Sequence, residues 1–282
     1  MPGISHRYVQ IAEAIADRIM LPPIEMIYIP LPADEPGCRQ KFGAVVLADG
    51  SVGIMFILMD DTTPQLQQCV ESQRYQGKSP LLLARSFTST DPVQKTLALG
   101  ALNAIARFIL HKCGYQPDYT TDSMALFNPQ PGDVMGMVGY FPPLVGRIRE
   151  ANIPLTVIEL KEELARREPG FIVTTDAREL RRCTKVLCTS TVLLNDSLDD
   201  ILQNCRQAER VAIIGPTAGF LPDPLFERGV DTIGGTFIED ANAFLENCRE
   251  QEKWGPAARK YCIRKEGYPG YKTLLAGLGT RD

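Results

Sequence analysis

Histidine is scarce in this chain: His6 and His111 are the only two in 282 residues. A Ser-His-Asp or Cys-His nucleophile arrangement therefore has few ways to form. None of the eight cysteines belongs to a Cys-x-x-Cys pair, and Cys183 and Cys188 are too loosely spaced for a strong zinc or redox signature. No apolar run reaches 18 residues, so no membrane span is expected. A basic surplus is also lacking. Thirty Lys and Arg face 34 Asp and Glu, for a net charge of -4, which argues against nucleic acid as a partner. The first twenty residues mix acidic and apolar side chains and lack the apolar centre of a signal peptide. Thiols scattered from Cys38 to Cys262 then read as reduced, and a cytoplasmic location is expected. There is no repeat at a solenoid period and no low-complexity tract.

The chain is long enough for a substantial core and for two domains. Residues 5–20 read as a helix, with Ile11, Ile15 and Ile19 on one face and Pro22-Pro23 as the stop. Residues 24–29 are strand-like and lead into a Pro- and Gly-rich loop. Residues 41–47 and 52–58 are apolar, β-branched runs joined through Asp49-Gly50, a hairpin signal. Helical pieces follow at 64–75 and 80–87. A longer helix starts at Asp91-Pro92, a well-specified N-cap and first position, and stops at Gly114. Residues 115–132 carry Pro117, Pro129 and Pro131 and no period, and read as the region between domains.

From Val134 onward, runs that are apolar throughout alternate with helical patterns. VMGMVGY precedes a helix at 142–151, and LTVIEL follows. KVLCTS precedes a helix at 196–206, VAIIGP one at 222–228, and VDTIGG one at 239–250. Such runs suit strands covered on both faces, and the alternation predicts a Rossmann-like, doubly wound parallel sheet. The expected fold class is thus α/β in residues 116–282, preceded by a small α+β domain in residues 1–115. The tail, residues 256–282, reads as starting with a helix, and its Gly- and Tyr-containing end could pack on either domain or stay loose.

In open α/β sheets ligands bind outside the carboxyl ends of the strands. Those ends read Gly139-Tyr140-Phe141, Glu159, Thr189-Ser190-Thr191 with Asn195 close by, Gly215-Pro216-Thr217, and Gly234-Gly235-Thr236. Glu159 lies twenty residues after Gly139, where an acid accepts a ribose hydroxyl in nucleotide-binding folds; its plainer role is a solvated strand end. The run is not G-x-G-x-x-G, and Pro142-Pro143 remove two amide donors from the helix start that would cradle a pyrophosphate. A ligand without pyrophosphate, such as S-adenosylmethionine or a small acid, escapes that objection. Residues 215–219 offer either a backbone anion nest or an ordinary turn. His111 and Cys113 point to nearly opposite sides of a helix end and make a poor ligand pair. Asp60-Asp61 could hold a hard metal ion, act as acid and base, or cap the next helix.

The ordered set LADGSVGIMF, GKSPLLLARSF, LALGALNAIARF, VGYFPPLVGRI, TVIEL, CTSTVLLNDSLDDIL and GPTAGFLPDPLFERGVDTIGG resembles the heavy-metal chelation family formerly called domain of unknown function 364, with its N-terminal companion domain. The resemblance covers most of residues 8–250. It implies an enolase N-terminal-like capping domain, a Rossmann-like domain and a ligand cleft between them. It also implies a role in handling heavy metals or metal-containing small molecules, with a transition metal ion as the group to look for. By motif it carries Asn103, Gly139, Tyr140, Phe141, Pro142, Glu159, Thr189, Thr191, Asn195, Gly215 and Pro216 into the site. The family's Gly in the third strand end is replaced here by Ser190, whose hydroxyl alters the approach. The leading expectation is binding of a metal ion or a small metal-containing or anionic ligand. An enzyme using a nucleotide-like or S-adenosyl ligand, and a non-enzymatic assembly protein, are the alternatives. Expected partners are a small molecule or metal ligand, with a homodimer left open, and neither nucleic acid nor membrane.

Overall fold

The computed structural model describes residues 3–30, 40–59, 62–71, 73–119 and 128–278. Cys38, Asp60-Asp61, most of the Pro- and Gly-rich loop and part of the 115–132 stretch lie outside the described residues.

The N-terminal unit builds three antiparallel strands in sequential order, β1 (Ile24–Tyr28), β2 (Phe42–Leu47) and β3 (Val52–Phe56). Gly50 turns the β2–β3 hairpin at φ +84°, and the Asp49 carboxylate accepts from the Ser51 hydroxyl at 2.9 Å. Packed with the sheet are α1 (Ile4–Ala16), α2 (Thr63–Glu71), the short α3 (Leu81–Ala84) and the 21-residue α4 (Pro92–Lys112). Asp91 caps α4 as its sequence requires, its carboxylate accepting the amides of Val93 (2.9 Å) and Gln94 (3.4 Å). Gly114 ends it at φ +65°. By length and mean hydropathy α4 could cross a membrane, but 83% of its apolar window is buried inside the protein, as in the central helix of a core.

Both faces of this small sheet are covered, which is why β2 and β3 read as continuous apolar runs. Val45, Leu47 and Met55 face α4, while Ala44, Val46, Val52 and Ile54 face Phe244, Leu245 and Cys248 of the C-terminal unit.

The second sheet has eight strands. In chain order they are β4 (Met135–Val138), β5 (Leu155–Ile158), β6 (Arg166–Glu168), β7 (Phe171–Thr174), β8 (Lys185–Thr189), β9 (Arg210–Ile214), β10 (Thr232–Ile238) and β11 (Ala258–Arg264). In space the order is β11-β10-β9-β8-β4-β5-β7-β6. The six inner strands are parallel, and β6 and β11 run antiparallel at the edges. Residues alternate strictly between two cores. Met135, Met137, Leu155, Val157, Leu187 and Ala212 pack with α5 (Pro142–Glu150) on one face. Val138, Val186, Cys188, Val211 and Ile213 join the large core on the other, which includes α6 (Leu198–Asn204), α1 and α4. The doubly wound parallel sheet expected from the sequence is therefore the fold.

Three details differ from the sequence expectation. A further parallel strand, β7, joins the sheet beyond β5 and pairs with β6 in a hairpin. Gly234, Gly235 and Thr236 are not a strand end: β10 continues to Ile238, paired with β11 throughout. Gly235 is needed there because a Cβ would stand 2.5 Å from both the Ala218 carbonyl and the Tyr261 hydroxyl. The tail begins as a strand rather than the expected helix, because it completes the sheet edge beside β10, and it has a defined place. After α7 (Asp223–Phe226) and α8 (Ala241–Arg249), β11 completes the sheet, and α9 (Tyr271–Gly277) is held by the Asp223 carboxylate. That carboxylate accepts the Tyr271 amide at 2.9 Å and the Tyr268 hydroxyl at 2.7 Å.

Side chains tie the two units together. Arg107 of α4 meets Glu239 at 3.3 Å, and buried Lys95 pairs with Asp196. Arg7 of α1 forms a two-pronged bond to Glu227, at 2.8 and 3.1 Å. Chiefly through that bond, the Glu227 carboxyl is held below its ordinary 4.5. A depressed carboxyl contributes stability above its unfolded value and loses it as pH falls through the folded value. Glu227→Gln should therefore flatten the fall in melting temperature on acidification below about pH 4.5. Parallel melting-temperature curves for the variant and the wild type, measured by differential scanning fluorimetry, would show that the pair contributes nothing.

Candidate functional site

The strand order places a switch point at the centre of the large sheet. The chain winds outward from β4 through β5 to β7, then returns to lay β8 on the other side of β4 and winds outward again through β9 and β10. At such a point the loops leaving the two central strands are expected to diverge, and their carboxyl ends are where a crevice is looked for. There Gly139 turns at φ +85°, and a Cβ on it would stand 3.1 Å from the Thr189 methyl group. Gly139 is thus both the turn and the close contact between the two central strands.

Around this point the sequence-nominated residues divide into two groups. Gly139, Tyr140, Phe141, Glu159, Thr189, Thr191, Gly215 and Pro216 are half-buried at the strand ends, and Pro142 is exposed. The Thr189 and Thr191 hydroxyls lie 3.0 Å apart. The Glu159 carboxylate is oriented by backbone amides: one oxygen accepts from Tyr140 at 3.0 Å, the other from Leu160 at 2.9 Å and Lys161 at 3.3 Å. Pro142 and Pro143 occupy the first positions of α5, so the helix start has lost the donors a pyrophosphate would use.

The second group lies beneath the crevice. Asn103, Ser190 and Thr217 are each no more than 2% exposed. The Asn103 amide donates to the Ile54 carbonyl at 2.7 Å and to the Thr217 carbonyl at 2.9 Å. The Thr217 hydroxyl meets the Ser190 hydroxyl at 2.6 Å. These three residues form a buried chain from the small sheet, through α4, to the loops of the large one. Ser190 uses its hydroxyl inside the fold. Gly215 makes room for it, since a Cβ at 215 would come within 2.6 Å of the Ser190 oxygen. Asn195 is exposed and structural: its side-chain oxygen accepts the Ser197 amide and hydroxyl ahead of α6. The adjoining Asp196 carries the bond from Lys95.

At 215–219 the Gly215 amide donates to the Gly234 carbonyl, Pro216 has none, and the Ala218 amide closes a turn on Gly215, the bonding of an ordinary turn. The cation near this edge is one that sequence reasoning missed. Arg166, at the start of β6, donates to the Tyr140 hydroxyl at 2.6 Å and lies over the Tyr140 ring. Arg166 pairs with Val173 in β7, and only that pairing brings it to the strand ends.

Among the described residues no group of three His, Cys, Asp or Glu side chains could hold a metal ion. The buried thiols are also poor donors. Burial raises Cys183 and Cys248 to about 11 and Cys205 to about 12, and it also lifts the Cys188 thiol well above its ordinary range. A soft metal needs the thiolate, so a bare ion would have to displace those protons. The donor set at the crevice is oxygen from Thr189, Thr191 and Glu159. A cavity of about 190 Å³ does open elsewhere, between β1 and α2, lined by Met26, Ile27, Val70 and Tyr75. It shares no residue with the strand ends.

Comparison with known proteins agrees with this architecture. A crystal structure of a protein of unknown function from Desulfitobacterium hafniense aligns with a TM-score of 0.67 at 18% identity, covering 93% of this chain and 98% of that one. One from Pyrococcus horikoshii aligns with a TM-score of 0.62, also at 18% identity and with the same coverage. Both are of the DUF364 family, and at this identity they establish the fold. An uncharacterized protein of Methanocaldococcus jannaschii is 26% identical over 188 residues, 63% of this chain and 69% of that protein. The family model for DUF364, described as "Putative heavy-metal chelation", matches residues 122–265, just over half of the sequence. The chain belongs to the DUF364 family.

Proposed function

We propose that this protein binds a small metal-containing or anionic ligand at the carboxyl edge of its parallel sheet, between the loops that leave β4 and β8. The observation that carries this reading is the strand order, which puts Gly139, Thr189, Thr191 and Gly215 together at the switch point. The heavy-metal description of the family supports a metal as part of the cargo. The oxygen donors and the absence of a three-residue ligand group among the described residues favour a metal that arrives inside its own organic ligand. The protein then recognises the periphery of the chelate. Thr189 and Thr191 supply hydroxyls that bind either a donor or an acceptor, and Arg166 supplies positive charge beside Tyr140.

Calorimetric titration of untagged protein tests this reading. Cobalt, nickel, zinc and copper should be supplied both as bare ions and as citrate or nitrilotriacetate complexes. The chelates should bind saturably, and Thr189→Val should weaken them by about tenfold, the loss expected from one or two hydrogen bonds. Stoichiometric capture of the bare ions with indifference to the chelates would refute recognition of a preformed complex. Silence toward both would remove the metal from the account.

A further inference from the structure

We infer that the ligand at these strand ends carries a nucleoside, with a ribose hydroxyl on Glu159 and the base against Leu160. This rests on the switch-point reading above and names the chemical class of the ligand.

The placement comes first. Counting outward from the switch point, β5 is the second strand, and Glu159 is the residue that follows it. A carboxylate there stands at one side of the crevice, where the ribose lies in doubly wound sheets. Its geometry is prepared for that role. Three backbone amides bind it, one on one oxygen and two on the other. A carboxylate has about four lone-pair sites, so one site is open, on the oxygen that also accepts from Tyr140. An acceptor held in place by its own backbone suits a neutral hydroxyl donor better than a metal ion, which would compete with all three amides.

Leu160 supplies the second half. It is 68% exposed, and the other large hydrophobic side chains exposed among the described residues, Met20 and Leu82, lie in the N-terminal unit. Leu160 alone of the three stands at the strand ends, one residue from the fixed carboxylate. A flat ring joined to the ribose would cover it, burying apolar surface on both partners. The prolines set the remaining limit. With no amides at the first positions of α5, the 5′ side of the nucleoside meets no phosphate cradle, so the 5′ substituent is something other than a pyrophosphate.

The test compares adenosine, S-adenosylhomocysteine, 2′-deoxyadenosine, 3′-deoxyadenosine and NAD against the wild-type chain and Leu160→Ser. Binding is followed by calorimetry and by the amide NMR shifts of Tyr140 and Leu160. The exposed position makes Leu160→Ser safe for folding, and an unchanged melting curve verifies this. Adenosine and S-adenosylhomocysteine should bind saturably, NAD at least about tenfold more weakly. At least one of the deoxy forms should lose about tenfold, as should Leu160→Ser, each for one lost contact. Undiminished affinity for both deoxy forms, or full affinity in Leu160→Ser, overturns the assignment. If adenosine leaves the Tyr140 and Leu160 amides unmoved while metal chelates shift them, the nucleoside fails and the crevice stands as the site. If neither probe moves them, both fail.

Discussion

Gly53→Ala should be the most damaging single-methyl addition in the N-terminal unit. A Cβ on Gly53 would stand 2.0 Å from the Gly100 carbonyl oxygen and 2.3 Å from the Ala104 amide nitrogen. Both obstacles are backbone of α4, so no side chain can rotate away, and helix and strand would have to separate by more than an ångström. Overpacking a core costs typically about 1–3 kcal/mol where side chains can yield, and the cost here should exceed that range. Two other glycines calibrate the effect. At Gly100 the obstacles are the Met55 sulfur and a Val45 methyl, both at 2.9 Å and both at the ends of side chains, so Gly100→Ala should cost about 1–3 kcal/mol. At Gly50 nothing lies within 4 Å, and only the φ of +84° resists a side chain, for about 1 kcal/mol. Urea unfolding of the three variants should rank them in that order. The Gly53 variant should shift the midpoint by roughly 1 M or more, given a slope of about 3 kcal/mol per M for a chain of this size. A Gly53→Ala midpoint no lower than that of Gly50→Ala would mean that β3 and α4 are not in this close contact.

Much of the fold was legible because its signals are local. Asp91-Pro92 and Gly114 bound α4 from within a few residues, and Asp49-Gly50 marks its hairpin without reference to anything distant. The parallel strands announced themselves by apolar runs, since both faces of the sheet are covered. The strands that escaped are those whose sequence answers to a different environment. β11 is an edge strand whose Arg259, Lys260 and Arg264 are exposed, and charges on an edge strand protect it from pairing with another chain. β7 is four residues long and follows a Pro-Gly turn, so its apolar pattern is too brief to separate from a loop. The end of β10 was misplaced for a third reason. Two glycines look like a stop, yet here Gly235 admits the ring of Tyr261, its register partner in β11.

The candidate site was legible in position but not in layering. Sequence spacing finds the ends of strands and cannot say which side chains turn inward beneath them. Thr189 and Thr191 are half-buried at the strand end while Ser190 between them is buried, where β8 gives way to a 3-10 turn at Ser190–Leu193. Which of the two sets was buried depended on α4 passing beneath, and that is a contact between residues more than a hundred positions apart. Arg166 was invisible for the same reason, since a charged residue in a short edge strand reads as solvated until β6 folds back on β7.

Asn103→Ala should be the second large loss, and it also probes how the crevice is supported. The side-chain amide of Asn103 bonds two carbonyls that otherwise have no reason to meet, that of Ile54 in β3 and that of Thr217 in the loop after β9. Its own side-chain oxygen has no hydrogen-bond partner, so the group is retained at some cost for the two bonds its nitrogen makes. Truncation leaves both buried carbonyls unsatisfied, at about 1–3 kcal/mol each, so a loss of roughly 2–5 kcal/mol is expected. Asn103→Asp should be worse still, because a carboxylate would face the same carbonyl oxygens in place of a donor. The loss should not stay at residue 103. Thr217 is the link to Ser190, so the loops after β8 and β9 lose their common anchor when the Asn103 bond goes. Hydrogen exchange should therefore rise in residues 189–193 and 215–219 of the alanine variant while the amides of β5 and β7, on the far side of the switch point, keep their protection. A uniform rise across the whole sheet would instead mean that Asn103 supports the fold as a unit, with no particular hold on the floor of the crevice.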